Sequence, residues 1–370
     1  MLSLIQMINF WNDLQPGFMV LAPMEDVTDT VFRCIVASCG QKESIYLGLK
    51  GKEAGQPDVY FTEFTNCDGI MSVGQSRVIH RLKYTEDERP LVAQIWGKTV
   101  QNYYETAKLI CDLGFDGVDI NMGCPEKNVI KQGACSALIK NQPLAKEIID
   151  AVKKGVDGKI PVSVKTRIGF DTLDTISWTT FLLDQDIQAL TLHGRTVKEL
   201  SEAPVHWDEI AKVVKYRDDN KINTKIIGNG DVLSWQETDE KIKNIGVDGV
   251  MIGRGVFKNP FVFNREVVQD DQGNLFRNGL LVESKEKLEL LYEHTKLWCK
   301  TWKVQEGDGF YRNNKTEFKY QKNMATLKKF YKIYCSGFAG AVDLRIKLME
   351  TEDIGDVVKV LNESGLVKII

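Results

Sequence analysis

No CxxC pair and no zinc-ligand spacing occur among the eight cysteines, at positions 34, 39, 67, 111, 124, 135, 299 and 335. The common structural zinc modules are thereby excluded, and no metal is expected. Met1–Phe18 carries apolar residues but no basic start and no long apolar core, so it does not read as a signal peptide. Scattered, unpatterned thiols then point to a reducing compartment, and a cytoplasmic protein is expected. No stretch approaches the roughly 20 apolar residues needed to span a bilayer, which removes the membrane as a partner. Repeats at solenoid periods and low-complexity tracts are also missing. The net charge of −3 rules out a polycation as a whole.

What is present is an ordinary globular composition, 43% hydrophobic and 27% charged over 370 residues. That length accommodates a barrel of roughly 250 residues plus an appendage. Charge is unevenly spread. Lys300–Glu350 holds eleven Lys/Arg against five Asp/Glu, an excess of six, which leaves −9 on the rest of the chain. A basic C-terminal region on an acidic body fits either a polyanion contact or a solvated helical face.

Short, mostly apolar runs alternate with longer amphipathic segments through the first two-thirds of the chain. The runs are Phe18–Met24, Asp58–Phe64, Pro90–Trp96, Gly117–Met122, Pro161–Arg167, Ala189–His193, Lys225–Asn229 and Gly249–Arg254. Val100–Leu113 and Leu144–Lys154 are examples of the helix-like stretches between them. Continuous apolar runs separated by helices indicate parallel strands covered on both faces. Eight such units predict an α/β fold, a (β/α)8 TIM barrel. An open doubly wound sheet is disfavoured because no GxGxxG follows the first run. Past Asp270 the beat stops. Asp270-Asp-Gln-Gly-Asn reads as a linker, and the segments Glu283–Lys300, Lys322–Tyr334, Ala339–Met349 and Ile354–Leu361 read as helices. The expected domains are therefore a barrel over 1–269 and an all-helical domain over 270–370. Gln41–Gln56 reads as a polar surface insertion.

Polar residues sit at the C-terminal ends of the runs: Pro23-Met24, Glu63, Gln94, Asn121, Lys165 with Arg167, His193, Asn229 and Arg254. In a barrel that end is the catalytic face. Gly228-Asn-Gly-Asp231 and Gly253-Arg254-Gly end the last two runs. Glycines there let backbone N–H groups approach an anion, and loops after strands seven and eight often bind phosphate; two tight turns are the plainer reading. Lys165 can pair with a carboxylate, form a Schiff base or stabilise an anionic ring. Gln94 and Asn229 offer amides suited to the edge of a heterocycle. A phosphorylated heterocycle such as a flavin satisfies all three.

Asn121-Met-Gly-Cys-Pro125 holds a thiol on a turn at that face. A cysteine near its ordinary pKa is mostly protonated at neutral pH and can donate a proton; ionised, it is a nucleophile. The other reading of a lone Cys is a small buried apolar residue. The flanking Gly123 and Pro125 favour a role on the turn.

Ala22-Pro-Met-Glu-Asp-Val-Thr-Asp, Asp119-Ile-Asn-Met-Gly-Cys-Pro, Val164-Lys-Thr-Arg-Ile-Gly, Leu192-His-Gly-Arg-Thr, Gly228-Asn-Gly-Asp and Met251-Ile-Gly-Arg-Gly, in that order, resemble the tRNA-dihydrouridine synthases. Leu327-Lys-Lys-Phe-Tyr-Lys-Ile-Tyr-Cys-Ser-Gly-Phe-Ala-Gly-Ala resembles that family's helical domain. The resemblance implies FMN-dependent reduction of uridine in tRNA, driven by NADPH or NADH. By motif it assigns Pro23, Met24, Gln94, Lys165, His193, Asn229, Gly230, Asp231, Gly253 and Arg254 to FMN, and Cys124 to general acid. It sets Asn121 against the uracil, and Arg167 and Arg195 against substrate or cofactor. Lys328 and Lys329, with Lys332, Arg345 and Lys347, are expected to meet tRNA phosphates. Tyr320, Phe330, Tyr331 and Tyr334 are either base-stacking or core residues. A monomer is expected. Two departures stand out. Glu25-Asp26 replaces the usual Ala-Gly. Gly133-Ala134-Cys135 replaces Gly-Ala-Gly and places a second thiol near Cys124, either a bystander or a partner for a Cys124–Cys135 disulfide. The competing functions are another FMN barrel acting on a free pyrimidine, such as a dihydroorotate dehydrogenase, and a non-catalytic tRNA-binding module.

Overall fold

The computed structural model describes residues 9–40, 51, 55–270, 272–302 and 322–369. The insertion at 41–56 falls almost wholly outside the described residues, as do Tyr320 and residues 303–321 of the basic stretch. By compactness the chain divides into two units. One comprises Met1–Thr28, Pro57–Val232 and Gln236–Gly253, the other Asp29–Gln56, Leu233–Trp235 and Arg254–Ile370.

The first unit is built on parallel strands: β1 (Phe18–Leu21), β2 (Tyr60–Phe61), β3 (Thr65–Asn66), β4 (Leu91–Trp96), β5 (Gly117–Met122), β6 (Val162–Arg167), β7 (Ala189–His193), β8 (Lys225–Asn229) and β9 (Gly249–Ile252). They pair in the order β1-β9-β8-β7-β6-β5-β4-β2, with β3 also on β4. A parallel bridge between Val20 and Val59 joins the two ends. The sheet is a nearly closed eight-position barrel, as the eight-fold beat predicts.

Side chains two apart on a strand share a face, so Val92, Ala189 and Ile227 lie low in the barrel on the same strand faces as Gln94, His193 and Asn229. Phe18, Phe61, Val92 and Ala189 fill the N-terminal side of the interior together with Phe10 and Trp11. Trp11 is 1% exposed and its ring lies 6.0 Å from that of Phe18 and 6.5 Å from that of Phe61. The short helical turn Phe10–Asn12 therefore plugs the bottom of the barrel. Nothing in its sequence beyond two adjacent aromatics signals that job.

The second unit contains the helices Thr30–Ser38, Ser284–Trp302, Ala325–Lys328, Tyr331–Tyr334, Ala341–Met349 and Ile354–Glu363. Asp29 caps Thr30–Ser38 by accepting from the Phe32 N–H at 3.0 Å, and it also pairs with Lys322 at 2.7 Å. His294 is buried against Tyr334, with its Nδ1 2.7 Å from the phenol oxygen. Burial pushes its pKa down to about 4, so this imidazole is neutral and structural. Phe330, Tyr331 and Tyr334 are buried, on the core side of the choice left open above. The segment read as a linker is instead a turn. Asp270 Oδ1 accepts from the N–H groups of Gln272 and Asn274 at 2.9 and 2.8 Å. The turn joins two strands of a small antiparallel sheet, Val267–Gln269, Leu275–Arg277 and Leu280–Leu281. Strands of two or three residues are too short to show a period. Among the described residues no helix is long and apolar enough to cross a membrane.

Candidate active site

The register of the barrel sets the polar strand ends side by side. Gln94 pairs with Asp119, Asn121 with Lys165, Arg167 with His193, and His193 with Asn229. Asp119 begins a hydrogen-bond chain with a single polarity. Its Oδ1 accepts from Ser163 Oγ at 2.6 Å and its Oδ2 from Gln94 Nε2 at 2.7 Å. A carboxylate only accepts, so Gln94 must turn its amino group toward it. The Gln94 carbonyl then accepts from Asn121 Nδ2 at 3.0 Å. The oxygen of Asn121 is left to hold the turn, and it accepts from the N–H groups of Gly123 and Cys124, both at 3.0 Å. Burial pushes the acid of Asp119 up to about 6, against the opposing hydrogen bonds of Ser163 and Gln94 and the charge of Lys165.

Two more groups grip the same turn. Arg167 Nε donates to the Gly123 carbonyl at 2.9 Å, and Ser136 Oγ donates to the Cys124 carbonyl at 2.7 Å. Arg167 Nη1 also donates to the carbonyls of Thr196 and Leu200, at 3.0 and 2.8 Å. Gly123 fits a close approach: a Cβ there would lie 3.3 Å from the Thr166 backbone. The Cys124 thiol is thus carried on a backbone held at two consecutive residues, Gly123 and Cys124, and it is half-buried and free. A hydrogen bond from Cys135 lowers its pKa to about 7, with further help from the Glu126 N–H and the charge of Arg167; burial and the Glu126 carboxylate oppose this. Cys135 is also free, and burial raises its own acid well above the ordinary thiol range.

Lys165 is half-buried and reaches Asn229 Oδ1 at 3.1 Å, while Asn229 Nδ2 donates to the Met251 carbonyl at 2.8 Å. Burial brings the lysine down to about 8, reinforced by Arg167 and opposed by Asp119 and Cys124. Arg195 is buried and makes a bidentate ion pair with Asp231, with a further bond to the Ala203 carbonyl. Gly230 and Asp231 both take positive φ, 138° and 48°. A Cβ on Gly230 would also come within 2.8 Å of Val205, so only glycine fits there.

The structure therefore brings Gln94, Asn121, Cys124, Lys165, Arg167, His193 and Asn229 to one mouth, with Arg195, Gly230 and Asp231 on its rim. Pro23 and Met24 follow β1, next to the end of β9: a Cβ on Gly253 would lie 3.8 Å from Met24 Sδ. Arg254, Lys328 and Lys329 belong to the second unit. Lys328 Nζ donates to the Met349 carbonyl at 2.7 Å, and Lys329 Nζ lies 5.2 Å from the centre of the Phe330 ring. Sequence reasoning gave Asp119 and Ser136 no role. The signal for Asp119 was its place two residues before Asn121, hence on the same strand face. Glu25, unusual for the family resembled, is occupied: Arg81 Nε and Nη2 donate to its Oε1 at 3.1 and 2.5 Å, with Glu63 and Asp26 adding charge around that arginine.

Comparison with known proteins bears on what this mouth does. The dihydrouridine synthase (Dus) family model matches residues 20–367. A probable tRNA-dihydrouridine synthase of Staphylococcus aureus (strain COL) is 39% identical over 357 residues, covering 96% of this chain and 95% of its own. Probable tRNA-dihydrouridine synthase 2 of Bacillus subtilis (strain 168) is 40% identical over 357 residues, covering 96% of both. Among solved structures, the old yellow enzyme from Trypanosoma cruzi is similar over 67% of this chain and 88% of its own, at 12% identity and a TM-score of 0.42.

Proposed function

Because the chain belongs to the dihydrouridine synthase family, we propose that it reduces uridines in tRNA to 5,6-dihydrouridine with a bound flavin, and that Cys124 supplies the proton. The observation that carries the assignment is the Cys124 turn, held at four backbone groups, two of them by Asn121, the strand neighbour of Lys165.

The residues at the mouth fit a flavin. Lys165 commits one hydrogen bond, to Asn229, and its remaining donors need acceptors in a partly desolvated site. Gln94, His193 and Asn229 add polar edges. The rim turn at Gly230-Asp231 and the Gly253-Arg254 segment are suited to a single phosphate, which favours FMN; NADPH is the proposed source of electrons. Reduced flavin supplies the hydride. The uracil C5=C6 bond is conjugated to the C4 carbonyl, so hydride arrives at C6 and the resulting enolate takes a proton at C5. Cys124 gives that proton and is left as a thiolate, which Arg167 and Lys165 stabilise by charge. Solvent then reprotonates it. A stacked uridine cannot reach a barrel mouth, so the nucleotide must be flipped out, costing a few kcal/mol. Phosphate contacts from the basic second-unit helices, including Lys328, Lys329 and Arg345, offset that cost.

The direct test is nucleotide-resolved mapping of dihydrouridine in tRNA from cells lacking this protein. At least one position should revert to uridine, and the purified yellow protein should restore it with NADPH while leaving orotate untouched. Reduction of orotate instead would favour the free-pyrimidine enzyme. An unchanged map, with no reduction of that tRNA in vitro, would leave only a binding role.

Two further results follow from the charges. The acid form of Cys124 is the working form. Its pKa of about 7 means that the reaction of pre-reduced enzyme with tRNA should fall about tenfold per pH unit above neutrality. Loss of charge on Lys165 near pH 8 should steepen the fall. A flat profile from pH 6 to 9 would contradict Cys124 as the acid. Reversing Lys328 and Lys329 to Glu should weaken tRNA binding and reduce the slope of log affinity against log salt by about 1–2, with flavin content unchanged. The same slope in parent and variant would remove this segment from the tRNA footprint.

A further inference from the structure

We propose that Cys135 is a positioning residue for proton transfer at Cys124: its buried S–H donates to the Cys124 sulfur and holds the thiolate formed when the proton leaves. The inference rests on the reading of Cys124 as the acid.

Three observations carry it. First, Cys135 has φ 52°, in the left-handed region. A side chain there carries backbone strain that glycine would not. The chain has just made one left-handed turn at Gly133, φ 77°, and Cys135 opens the helical turn Cys135–Lys140. A strained conformation kept for a side chain points to a use for that side chain. Second, Cys135 is 0% exposed. It sits in a small apolar cluster with Val129 and Ala134, and Cys124 and Trp96 pack against that cluster. A thiol enclosed this way has few possible acceptors, and Cys124, packed against the same cluster, offers one. Third, the next residue, Ser136, holds the Cys124 carbonyl at 2.7 Å. One short segment thus fixes the acid through both its backbone and its sulfur.

The sense of the interaction suits the reaction. A donor pointed at sulfur is worth more when the sulfur is charged, so it favours the product of proton donation over the starting thiol. Cys135 stays protonated throughout, because burial and the adjacent sulfur both raise its acid. The other charged or titratable groups that face Cys124 are Arg167, which favours the thiolate, Glu126, whose carboxylate opposes it while its N–H favours it, and Lys165. Cys67 and Tyr103 lie behind Cys135, and burial raises both, so they remain neutral.

The experiment is a pH titration of Cys124 alkylation by iodoacetamide, read at the Cys124 peptide by mass spectrometry, on flavin-loaded, reduced parent enzyme and on Cys135→Ala, Cys135→Ser and Cys135→Gly. Cys135→Gly relieves the left-handed strain and removes the donor, so it keeps the test valid if alanine disturbs folding. The midpoint should rise by about one pH unit in the Ala and Gly variants and stay nearer the parent in Ser, which retains a donor. The alkaline limb of the tRNA reaction should move by the same amount, with KM for tRNA unchanged. An unmoved midpoint in folded Ala and Gly variants would reduce Cys135 to packing. A moved midpoint with an unmoved reaction profile would leave the hydrogen bond standing and overturn Cys124 as the acid instead.

Discussion

Replacing Cys124 with alanine should lower turnover by about 10²–10⁴-fold, the usual worth of a positioned general acid, and leave flavin content and tRNA affinity intact. The reason the loss should be confined to chemistry lies in how the turn is held. Its restraints run from Asn121 and Arg167 to the backbone of Gly123 and Cys124, and from Ser136 to the Cys124 carbonyl. None of these backbone bonds uses the Cys124 side chain, and that side chain is only half-buried. Removing one sulfur therefore leaves the mouth in place. Single-turnover reduction of tRNA by pre-reduced enzyme isolates the step, because it bypasses electron delivery from the nicotinamide. A variant that reduces uridine at the parent rate would show that the proton reaches C5 by another route.

The barrel was legible because its code is local. Eight continuous apolar runs, spaced by amphipathic segments, admit few other architectures. The polar strand ends were legible for the same reason: Gln94, Asn121, Lys165, His193 and Asn229 each lie near or at the C-terminal end of a run. Cys124 could be picked out because Gly123 and Pro125 mark a turn. What escaped is whatever depends on long-range approach. Cys135 meets Cys124 only because the chain doubles back through Gly133, and eleven residues of sequence do not announce that reversal. The orienting role of Asp119 depends on Gln94 in one neighbouring strand and Ser163 in another. Arg167 read as a contact for substrate or cofactor; its donors in the structure go to the carbonyls of Gly123, Thr196 and Leu200, and that is a loop clamp no motif spells out. Trp11 plugs the barrel from a segment whose sequence offers no period at all.

Lys165→Met should be the most damaging change outside Cys124, and it should act in two places. Methionine keeps the length and apolar stem of the side chain and removes the charge, so packing survives. The first loss is at the flavin. A charge-assisted hydrogen bond is worth about 1.5–3 kcal/mol, so flavin affinity should weaken by about 10–150-fold. Fluorescence quenching on reconstitution of apoprotein measures that directly. The second loss runs through Asp119. Its acid already stands at about 6, and Lys165 is one of the groups holding it down. Without the cation it should rise further and pick up a proton near neutral pH. A protonated carboxyl can donate as well as accept, so it no longer compels Gln94 to present its amino group. The fixed polarity passed from Gln94 to Asn121 and on to the Cys124 turn is then lost. Saturating the variant with flavin should therefore fail to restore turnover, and the residual rate should rise with pH as Asp119 ionises, before the loss of the Cys124 proton brings it down. Full recovery with excess flavin would confine Lys165 to cofactor binding and break the proposed link between the two halves of the mouth.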